Sequence, residues 1–329
     1  MPEPPEIFRR PSRDDPPRPP EPRLGLKQDD IDKAELNRIA EQAAVTATES
    51  FKPATLQGVK DPAIEKWTSP LADLSRQNLP NISGKSEKRL RSVVERDIVS
   101  DPNQYPWCTI GKVFVGWNSN FASPIWTGSG CLIGKNIILT ASHVAPWGKP
   151  GWWMRFVPAY DEGVERFGSS YISEFRGVKN TNNVEGLDYV VCLLYDPLGG
   201  TCGWMGSQWW GNDSEYERRR WISVGYPGNS LNAQVPMVEK NIAVNDVDND
   251  QDGKKLETNN LFSSPGWSGG PMWNFLGADS ASDPRVVGVM SGWEKESFLW
   301  WTIEEDDVSA GGAYMTNLVI WAERNWPSS

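Results

Sequence analysis

The sequence predicts an all-β domain in the part of the 329-residue chain that follows about residue 97. From Tyr105 onward, short runs of β-branched and aromatic residues alternate with Gly, Pro, Asn and Asp, which is typical of the strands and turns of a barrel or sandwich. Of the 18 Trp residues only Trp67 lies before residue 100, and all four Cys and the single His lie after it. The first hundred residues are poor in large apolar side chains, so we expect no comparable core there.

Residues 1–96 are therefore predicted to form a largely non-globular extension. Residues 1–25 are rich in Pro and indicate an extended, disordered arm. Asp29-Asp30 would cap a helix over residues 31–49. Its apolar face consists of Leu36, Ile39, Ala40, Ala43 and Ala47. Such a face needs a surface to bury it, on the domain or on a partner, and the extension with its one or two helices is a candidate pro-segment or regulatory arm.

Seven apolar runs in the predicted domain, residues 97–329, have the length and composition of strands. They are Ile110–Trp117, Gly130–Ile133, Asn136–Thr140, Tyr189–Tyr195, Trp221–Tyr226, Val286–Ser291 and Phe298–Ile303. Near the end of the chain, the polar pair Thr316-Asn317 precedes a last apolar run. A short C-terminal helix that is capped by this pair is therefore expected.

Charge and composition limit the partners and the compartment. Residues 1–100 are neutral, so the net charge of −10 belongs to the remainder, and this acidic character argues against nucleic acid and anionic membranes as partners. No run approaches the ~20 apolar residues of a membrane span. The N-terminus lacks the apolar run of a secretory signal, so the cytoplasm is the default expectation for the compartment. The sequence does not indicate an oligomeric state.

The four cysteines do not define a disulfide framework in a chain of this length. Cys131 and Cys192 lie in apolar, strand-like runs and are predicted to be small buried hydrophobic residues. Whether Cys108 and Cys202 pair is left open by the sequence.

One acidic segment suggests a metal site. Residues 248–253 (DNDQDG) begin like a Ca²⁺-binding loop. Such a loop needs a bidentate Glu at its twelfth position, where this chain has Asn259, and Glu257 comes two residues early. We therefore predict a polar hairpin tip between two strands here, and no metal.

A histidine and an aspartate each lie at the end of an apolar run. Residues 138–144 (ILTASHV) bring His143 to a turn of small residues, and residues 186–194 (GLDYVVCLL) carry Asp188 at the mouth of a strand. Taken separately, His143 would be a surface or satisfied core histidine and Asp188 a turn residue. Together they are the residue types with which a carboxylate holds an imidazole in one tautomer and stabilises the imidazolium.

A glycine-rich segment follows further along the chain, at residues 264–271 (SPGWSGGP). A serine nucleophile such as Ser268 needs its own N–H, and that of the residue two before it, directed at the point where the oxygen of a tetrahedral intermediate lies. Gly266 allows the backbone conformation of such a turn and has no Cβ to block a substrate. The alternative is an ordinary Gly-rich loop, and the order His143, Asp188, Ser268 argues against it.

These three segments resemble the signature blocks of trypsin-like serine peptidases, and residues 225–228 (GYPG) resemble a loop of the glutamyl-endopeptidase branch. The resemblance covers about residues 100–326. It implies the chymotrypsin-like fold: two antiparallel six-stranded β-barrels, a C-terminal helix and a site in the cleft between the barrels. It further implies a serine endopeptidase with Ser268 as nucleophile, His143 as base and Asp188 as orienting acid. The N–H groups of Gly266 and Ser268 would form the oxyanion hole, the substrate would be a protein or peptide, and no metal or cofactor would be needed.

The same resemblance implies a specificity pocket. Its base and walls would be formed by Phe262, Ser263, Ser291, Gly292, Trp293 and Gly312. Phe262 stands where trypsin-like enzymes with a preference for Arg or Lys have an Asp, and the chain has no second His of the kind that glutamyl endopeptidases use. The indole of Trp293 would narrow the entrance, so an uncharged P1 residue, small or apolar, is expected.

Trp267 stands where the zymogens of this family have the Asp that pairs with a new N-terminal amine, so no activation by amine insertion is expected. Two other classes of function compete with the peptidase. A catalytically silent peptidase-fold module that binds peptides or proteins usually lacks a triad residue, whereas this chain has all three. A Trp-rich lectin would make the order of the three motifs a coincidence. The peptidase hypothesis is therefore favoured over both.

Overall fold

The computed structural model describes residues 17, 19–42, 45–58, 95–179, 184–250, 253–258, 264–276, 283–298 and 301–326. The strands are β1 (Lys27–Asp30), β2 (Glu95–Ile98), β3 (Ile110–Gly116), β4 (Trp126–Leu132), β5 (Ile137–Thr140), β6 (Trp153–Pro158), β7 (Ser170–Gly177), β8 (Val190–Leu194), β9 (Gly206–Ser207), β10 (Trp221–Gly225), β11 (Met237–Ile242), β12 (Asp246–Asp250), β13 (Gly253–Thr258), β14 (Pro271–Phe275), β15 (Pro284–Phe298) and β16 (Trp301–Gly311). The α-helices are α1 (Lys33–Gln42), α2 (Gly199–Cys202), α3 (Ser214–Glu217) and α4 (Ala313–Asn325).

The first sheet closes into a six-stranded antiparallel barrel. Its strands follow the order β7-β6-β3-β4-β5-β8, and β8 pairs back with β7. The barrel interior is filled by side chains with no exposed surface, among them Val113, Ile138 and Phe156. Closure leaves no free edge between these six strands. Outside the ring, β1 adds to β7 as a parallel strand.

The second sheet has nine strands. Its main path is β12-β13-β16-β15-β14-β10-β11-β2, and β9 pairs with β15 in parallel. The predicted all-β, chymotrypsin-like class is confirmed, although the second sheet is larger than the six strands expected and forms an open path through the described residues. The predicted strand Phe298–Ile303 instead spans the end of β15 and the start of β16, which form one long hairpin.

A large apolar cluster joins the two sheets. It includes Ile110 and Leu139 of the first sheet, Val224 and Trp273 of the second, and Leu318 of α4. The C-terminal helix is confirmed, but it begins at Ala313, earlier than predicted, so Thr316 and Asn317 lie inside it and are buried. The Thr316 hydroxyl lies 2.8 Å from that of Ser207. No helix in the described ranges combines the length and the apolar character that crossing a bilayer requires.

The helix of the extension, α1, is shorter than the predicted span of residues 31–49. Its cap is Asp32, whose side chain accepts a hydrogen bond of 2.7 Å from the N–H of Glu35. Asp29 and Asp30 belong to β1 instead. Leu36 and Ile39 are buried in the cluster that joins the sheets, at 0% and 8% exposure, so the predicted apolar face finds its surface on the domain.

The chain after α1 is extended because its backbone pairs with the domain. Thr48 N–H donates to the carbonyl of Ser207 at 2.8 Å, and Phe51 exchanges two backbone hydrogen bonds of 2.9 Å with Trp204. The N–H of Tyr105 in turn donates to the carbonyl of Gln57 at 3.0 Å. These pairings cannot coexist with a helix that continues to residue 49.

The cysteines are reduced and buried. Cys131 and Cys192 have no exposed surface, as predicted. The Cys108 thiol donates to the carbonyl oxygen of Cys202 at 3.2 Å, and burial raises the pKa of this thiol to about 12. The acidic segment near residue 250 forms the predicted hairpin, in which β12 and β13 pair up to Asp250 and Gly253.

Candidate active site

The two barrel-derived residues of the predicted triad lie at one end of the first barrel. His143 lies in a 3₁₀ turn, Ser142–Val144, that follows β5 directly, and Asp188 precedes β8. Strands β5 and β8 are antiparallel neighbours, with Thr140 opposite Val190. Because the end of β5 therefore meets the start of β8, the register brings the imidazole and the carboxylate together.

Asp188 holds His143 by two hydrogen bonds. The imidazole Nδ1 lies 2.7 Å from Asp188 Oδ2, and the backbone N–H of His143 donates to Oδ1 at 2.9 Å. Asp188 has no exposed surface, whereas the His143 side chain is 23% exposed. With Nδ1 as the donor, the Nε2 atom of the neutral ring is left as an acceptor.

A third donor to this carboxylate comes from the second sheet. Ser291, in β15, donates its hydroxyl proton to Asp188 Oδ2 at 2.6 Å and is 1% exposed. From the sequence, Ser291 was expected only in the wall of the specificity pocket. Its hydroxyl also contributes to the hydrogen bonding that compensates the buried charge of Asp188.

Ser268 lies in a tight turn just before β14, and two glycines make this turn possible. Gly266 has φ +101° and Gly269 has φ +81°. A Cβ at Gly266 would lie 2.4 Å from the carbonyl oxygen of Tyr226, and one at Gly269 would lie 2.1 Å from Thr140 Oγ1. Both the backbone conformation and the lack of space therefore require glycine at these positions.

A serine of the first sheet holds this turn in place. Ser129, in β4, donates its hydroxyl proton to the carbonyl of Gly266 at 2.7 Å, and its N–H donates to the carbonyl of Ser268 at 2.8 Å. The Ser129 hydroxyl also accepts a hydrogen bond of 2.9 Å from the N–H of Tyr226. The sequence analysis did not identify Ser129, although the short Gly-Ser-Gly run before His143 is the signal that could have indicated it.

The backbone N–H groups of Gly266 and Ser268 belong to residues that line the cleft. In the described part of the chain, neither group donates a hydrogen bond to a protein acceptor. Both residues line the cavity that also contains the His143 side chain. This arrangement can bind the negatively charged oxygen of a tetrahedral intermediate.

The fold of this chain is found among solved peptidase structures. A glutamyl endopeptidase in complex with MPD matches with a TM-score of 0.52 at 18% identity, over 70% of this chain and 96% of that chain. A thermostable serine protease, AL20, from an extremophilic microorganism matches at 18% identity over 66% of this chain and 97% of its own, with a TM-score of 0.46. The protease Anisep from Arthrobacter nicotinovorans matches at 20% identity over 62% and 90%, with a TM-score of 0.42.

This chain has the chymotrypsin-like fold of serine peptidases. The predicted resemblance is thereby confirmed at the level of the fold. No protein-family model and no curated protein sequence matches the chain. At the identity of these structural matches the likeness concerns the fold, so the chemistry of the peptidase-fold cleft has to be argued from its residues.

The cleft of the peptidase fold has a volume of about 330 Å³. His143 and Ser268 line it together with Gly292 and Trp293 of β15 and with Trp126 of β4. The Trp293 side chain is 58% exposed and stands at the mouth of the cleft. Of the six predicted pocket residues, Ser291, Gly292 and Trp293 line the cleft, and Phe262 and Ser263 lie outside the described residues.

The structure does not bring Gly312 to this cleft. Gly312 precedes the first residue of α4, and a Cβ there would lie 3.2 Å from Lys254 Cγ. The register of the β15–β16 hairpin is the reason: Trp293 faces Asp307, whereas the end of β16 pairs with Gly288, well before the cleft residues.

Proposed function

We propose that this protein is a serine endopeptidase, which hydrolyses peptide bonds through Ser268, His143 and Asp188. One observation carries the proposal: His143, which is joined to the buried Asp188 at 2.7 Å, lines the same cleft as Ser268. The nucleophile, the base and the orienting acid are thus the three residue types of a triad, in one site on a peptidase fold. The donor groups of Gly266 and Ser268 complete the machinery that acyl transfer requires.

The proposed reaction has two steps. As Ser268 Oγ attacks the peptide carbonyl, His143 Nε2 accepts the hydroxyl proton, and the N–H groups of Gly266 and Ser268 bind the oxyanion. His143 then protonates the leaving amine, and the acyl group stays on Ser268 Oγ. A water molecule repeats the sequence of events, with His143 again as base, and releases the carboxylic acid product.

The surroundings of Asp188 support its role as the orienting acid. A buried carboxylate is stable only when its charge is compensated by hydrogen bonds. Here the three donors are the ring and the backbone of His143 and the hydroxyl of Ser291. Because two of these bonds come from His143 itself, the carboxylate fixes the orientation of the ring as well as its tautomer.

The proposed substrate is a protein or peptide with an uncharged P1 residue. The Trp293 side chain lines the cleft and is 58% exposed, and an indole in this place would narrow the entrance. A panel of peptides that vary only at P1 tests this preference. Fastest cleavage after small or apolar residues is expected, and a clear optimum for Glu or for Arg would contradict the proposal.

Labelling with a fluorophosphonate probe tests the proposed function. We expect the wild-type protein to be labelled and Ser268→Ala and His143→Ala to be unlabelled, with a loss of kcat on the order of 10⁶ for each. Ser264→Ala is the matched control, because Ser264 lines the same cleft and has no assigned chemical role. Equal labelling of all four proteins, or of none, would contradict the peptidase. Specific peptide binding without any labelling would favour the silent module.

A further inference from the structure

The residue directly before Ser268 is a tryptophan that points into the protein interior. Trp267 is 1% exposed, and its indole N–H donates to the hydroxyl oxygen of Ser223 at 2.9 Å. Ser223 lies in the middle of β10, a strand of the second sheet, and is also 1% exposed. A hydrogen bond between two buried groups is costly to break, because neither partner can turn to water instead.

The backbone of Trp267 is held as firmly as its ring. Its N–H donates to the carbonyl of Ser264 at 2.9 Å, and its carbonyl accepts a hydrogen bond of 2.8 Å from the N–H of Gly270. The first bond closes a turn that ends at Trp267, and the second closes a turn over residues 267–270, which contains Ser268. Three hydrogen bonds of one residue therefore define the turn on which the proposed nucleophile lies.

The sheet is shaped to receive this indole. A Cβ at Gly225, at the end of β10, would lie 2.6 Å from Trp267 Cγ, and a Cβ at Gly270 would lie 3.1 Å from Trp267 Cδ1. The first separation is shorter than a carbon–carbon contact allows, and the second is tight. The flat ring thus occupies a slot that only glycine at position 225 leaves open.

We propose that Trp267 is a positioning residue, which holds the oxyanion-binding turn in its active conformation through its buried hydrogen bond to Ser223. The N–H of Ser268 belongs to the peptide unit whose carbonyl is that of Trp267, so a rotation of Trp267 about its backbone turns this N–H away from the cleft. The N–H of Gly266 lies one residue earlier on the same turn. The inference rests on the proposed function, because it assigns these N–H groups to the binding of an oxyanion.

Loss of the hydrogen bond between Trp267 and Ser223, the anchor of this turn, should slow the chemical step and leave substrate affinity nearly unchanged. The oxyanion exists only after the attack of Ser268, so misdirected N–H groups lower kcat and leave KM nearly unchanged. Loss of one oxyanion donor costs about 10²–10³ in kcat in serine peptidases. We expect about 10- to 100-fold for a turn that is loosened but still present.

Three substitutions remove the anchor from different sides, and the test compares them in the full-length protein. Trp267→Phe keeps a ring and removes the N–H donor, Ser223→Ala removes the acceptor, and Gly225→Ala fills the slot. Trp153→Phe is the matched control, because Trp153 is fully buried in the first barrel and its indole donates to the Asn118 carbonyl at 3.0 Å. Each protein is measured for kcat and KM, for inhibition by a peptide aldehyde, and for hydrogen exchange of the backbone amides of residues 264–270.

The expected result is a fall in kcat of at least tenfold in all three anchor variants, with KM within threefold of wild type. Aldehyde inhibition weakens in parallel, since the adduct carries the oxyanion, and the amides of residues 264–270 exchange faster. Trp153→Phe lowers the melting temperature without any of these changes. If Trp267→Phe does not fold, Ser223→Ala alone decides the matter.

The proposal is overturned if Ser223→Ala and Trp267→Phe keep kcat within twofold of the Trp153→Phe control and exchange at wild-type rates. A wild-type protein that neither hydrolyses peptides nor reacts with a fluorophosphonate would refute the proposed function instead. In that event the exchange rates decide about the anchor independently: faster exchange in the anchor variants supports it, and unchanged exchange rejects it.

Discussion

The two sides of the cleft are held in different ways. On the side of the first barrel, His143 is fixed by two hydrogen bonds to the buried carboxylate of Asp188. On the side of the second sheet, Ser268 is fixed by backbone conformation, with glycines of positive φ on both sides of it. An imidazole needs a defined tautomer and orientation, which a side chain can supply. The proposed oxyanion hole consists of two backbone N–H groups, so the backbone conformation sets their directions.

Each side is also held by a serine from the other. Ser129 of the first barrel binds the carbonyls of Gly266 and Ser268, and Ser291 of the second sheet binds Asp188. The site is therefore complete only when the two sheets are in contact. Substitutions on the first side should therefore lower activity by changing the charge of Asp188 or the tautomer of His143. Substitutions on the second side should lower it by moving the backbone N–H groups near Ser268.

The largest effect is expected on the charge-dependent side. Asp188→Asn should lower kcat/KM by roughly 10⁴, by analogy with other triads, because the amide favours the wrong tautomer of His143. Ser291→Ala, which removes one of three donors and leaves the carboxylate in place, should cost only about tenfold. Steady-state kinetics on one peptide substrate would measure both. Activity of Asp188→Asn within tenfold of wild type would exclude Asp188 as the orienting acid.

A smaller effect is expected on the conformation-dependent side. Gly266→Ala places a Cβ 2.4 Å from the carbonyl of Tyr226 and should lower kcat by about 10²–10³ as the oxyanion N–H groups move. Gly163→Ala is the matched control, since Gly163 has φ +88° with nothing within 4 Å of its Cβ position. It should cost about 1 kcal/mol of strain and no activity. Equal kinetics for both variants would mean that the turn tolerates the shift.

The apolar cluster that joins the two sheets is expected to contribute to stability. Leu36→Ala removes a fully buried side chain from the cluster that joins the sheets and should lower the free energy of unfolding by about 3 kcal/mol. Leu26→Ala, on the same arm but 73% exposed, is the control and should change it little. Urea denaturation, followed by Trp fluorescence, measures both values.

The packing of α1 against the domain also concerns the predicted domain boundary at residue 97, which stays a proposal. We propose that residues 19–58 brace the peptidase-fold domain, since α1 and the bonds of Thr48 and Phe51 all attach them to it. A truncated chain of residues 97–329 should then be less stable than the full-length protein. Equal stability and higher activity of the truncated chain would instead favour a removable, inhibitory pro-segment.

The smallest effect is expected on the pH dependence of stability, through one carboxyl group of the second sheet. Partial burial on β13, reinforced by the nearby carboxylates of Asp248, Asp306 and Asp246, raises the pKa of Glu257 to about 8. The folded state therefore retains a proton that the unfolded state loses above its ordinary pKa of 4.5. Stability from this group falls as the pH rises from about 4.5 to about 8.

Glu257→Gln should consequently show a smaller decrease in melting temperature between pH 5 and pH 8 than the wild type does. Glu217→Gln, at an exposed site on α3, serves as the control and should follow the wild type. Calorimetry at several pH values measures the difference. An unchanged slope in Glu257→Gln would show that this carboxyl is not protonated in the folded protein.

The sequence alone determined the class of the fold and the residue types of the site. Alternating apolar runs indicate strands because side chains alternate with a period of two. His143 stands out because it follows such a run, Asp188 because it precedes one, and Ser268 because it lies in a glycine-rich segment. The glycines near Ser268 could also be interpreted from the sequence, because glycine is the residue that most readily adopts a positive φ.

Only the tertiary structure decided which distant residues serve these groups. Ser291 and Ser129 lie in strands of opposite sheets from the groups they bind, and a serine in a strand carries no local signal of its partner. Gly312 was assigned to the pocket by its place in the chain, whereas the register of β15 and β16 directs it elsewhere. The end of α1 was likewise set by backbone pairing with the domain. Local sequence encodes conformation, but register and docking depend on the sum of many contacts between segments that are far apart in the chain.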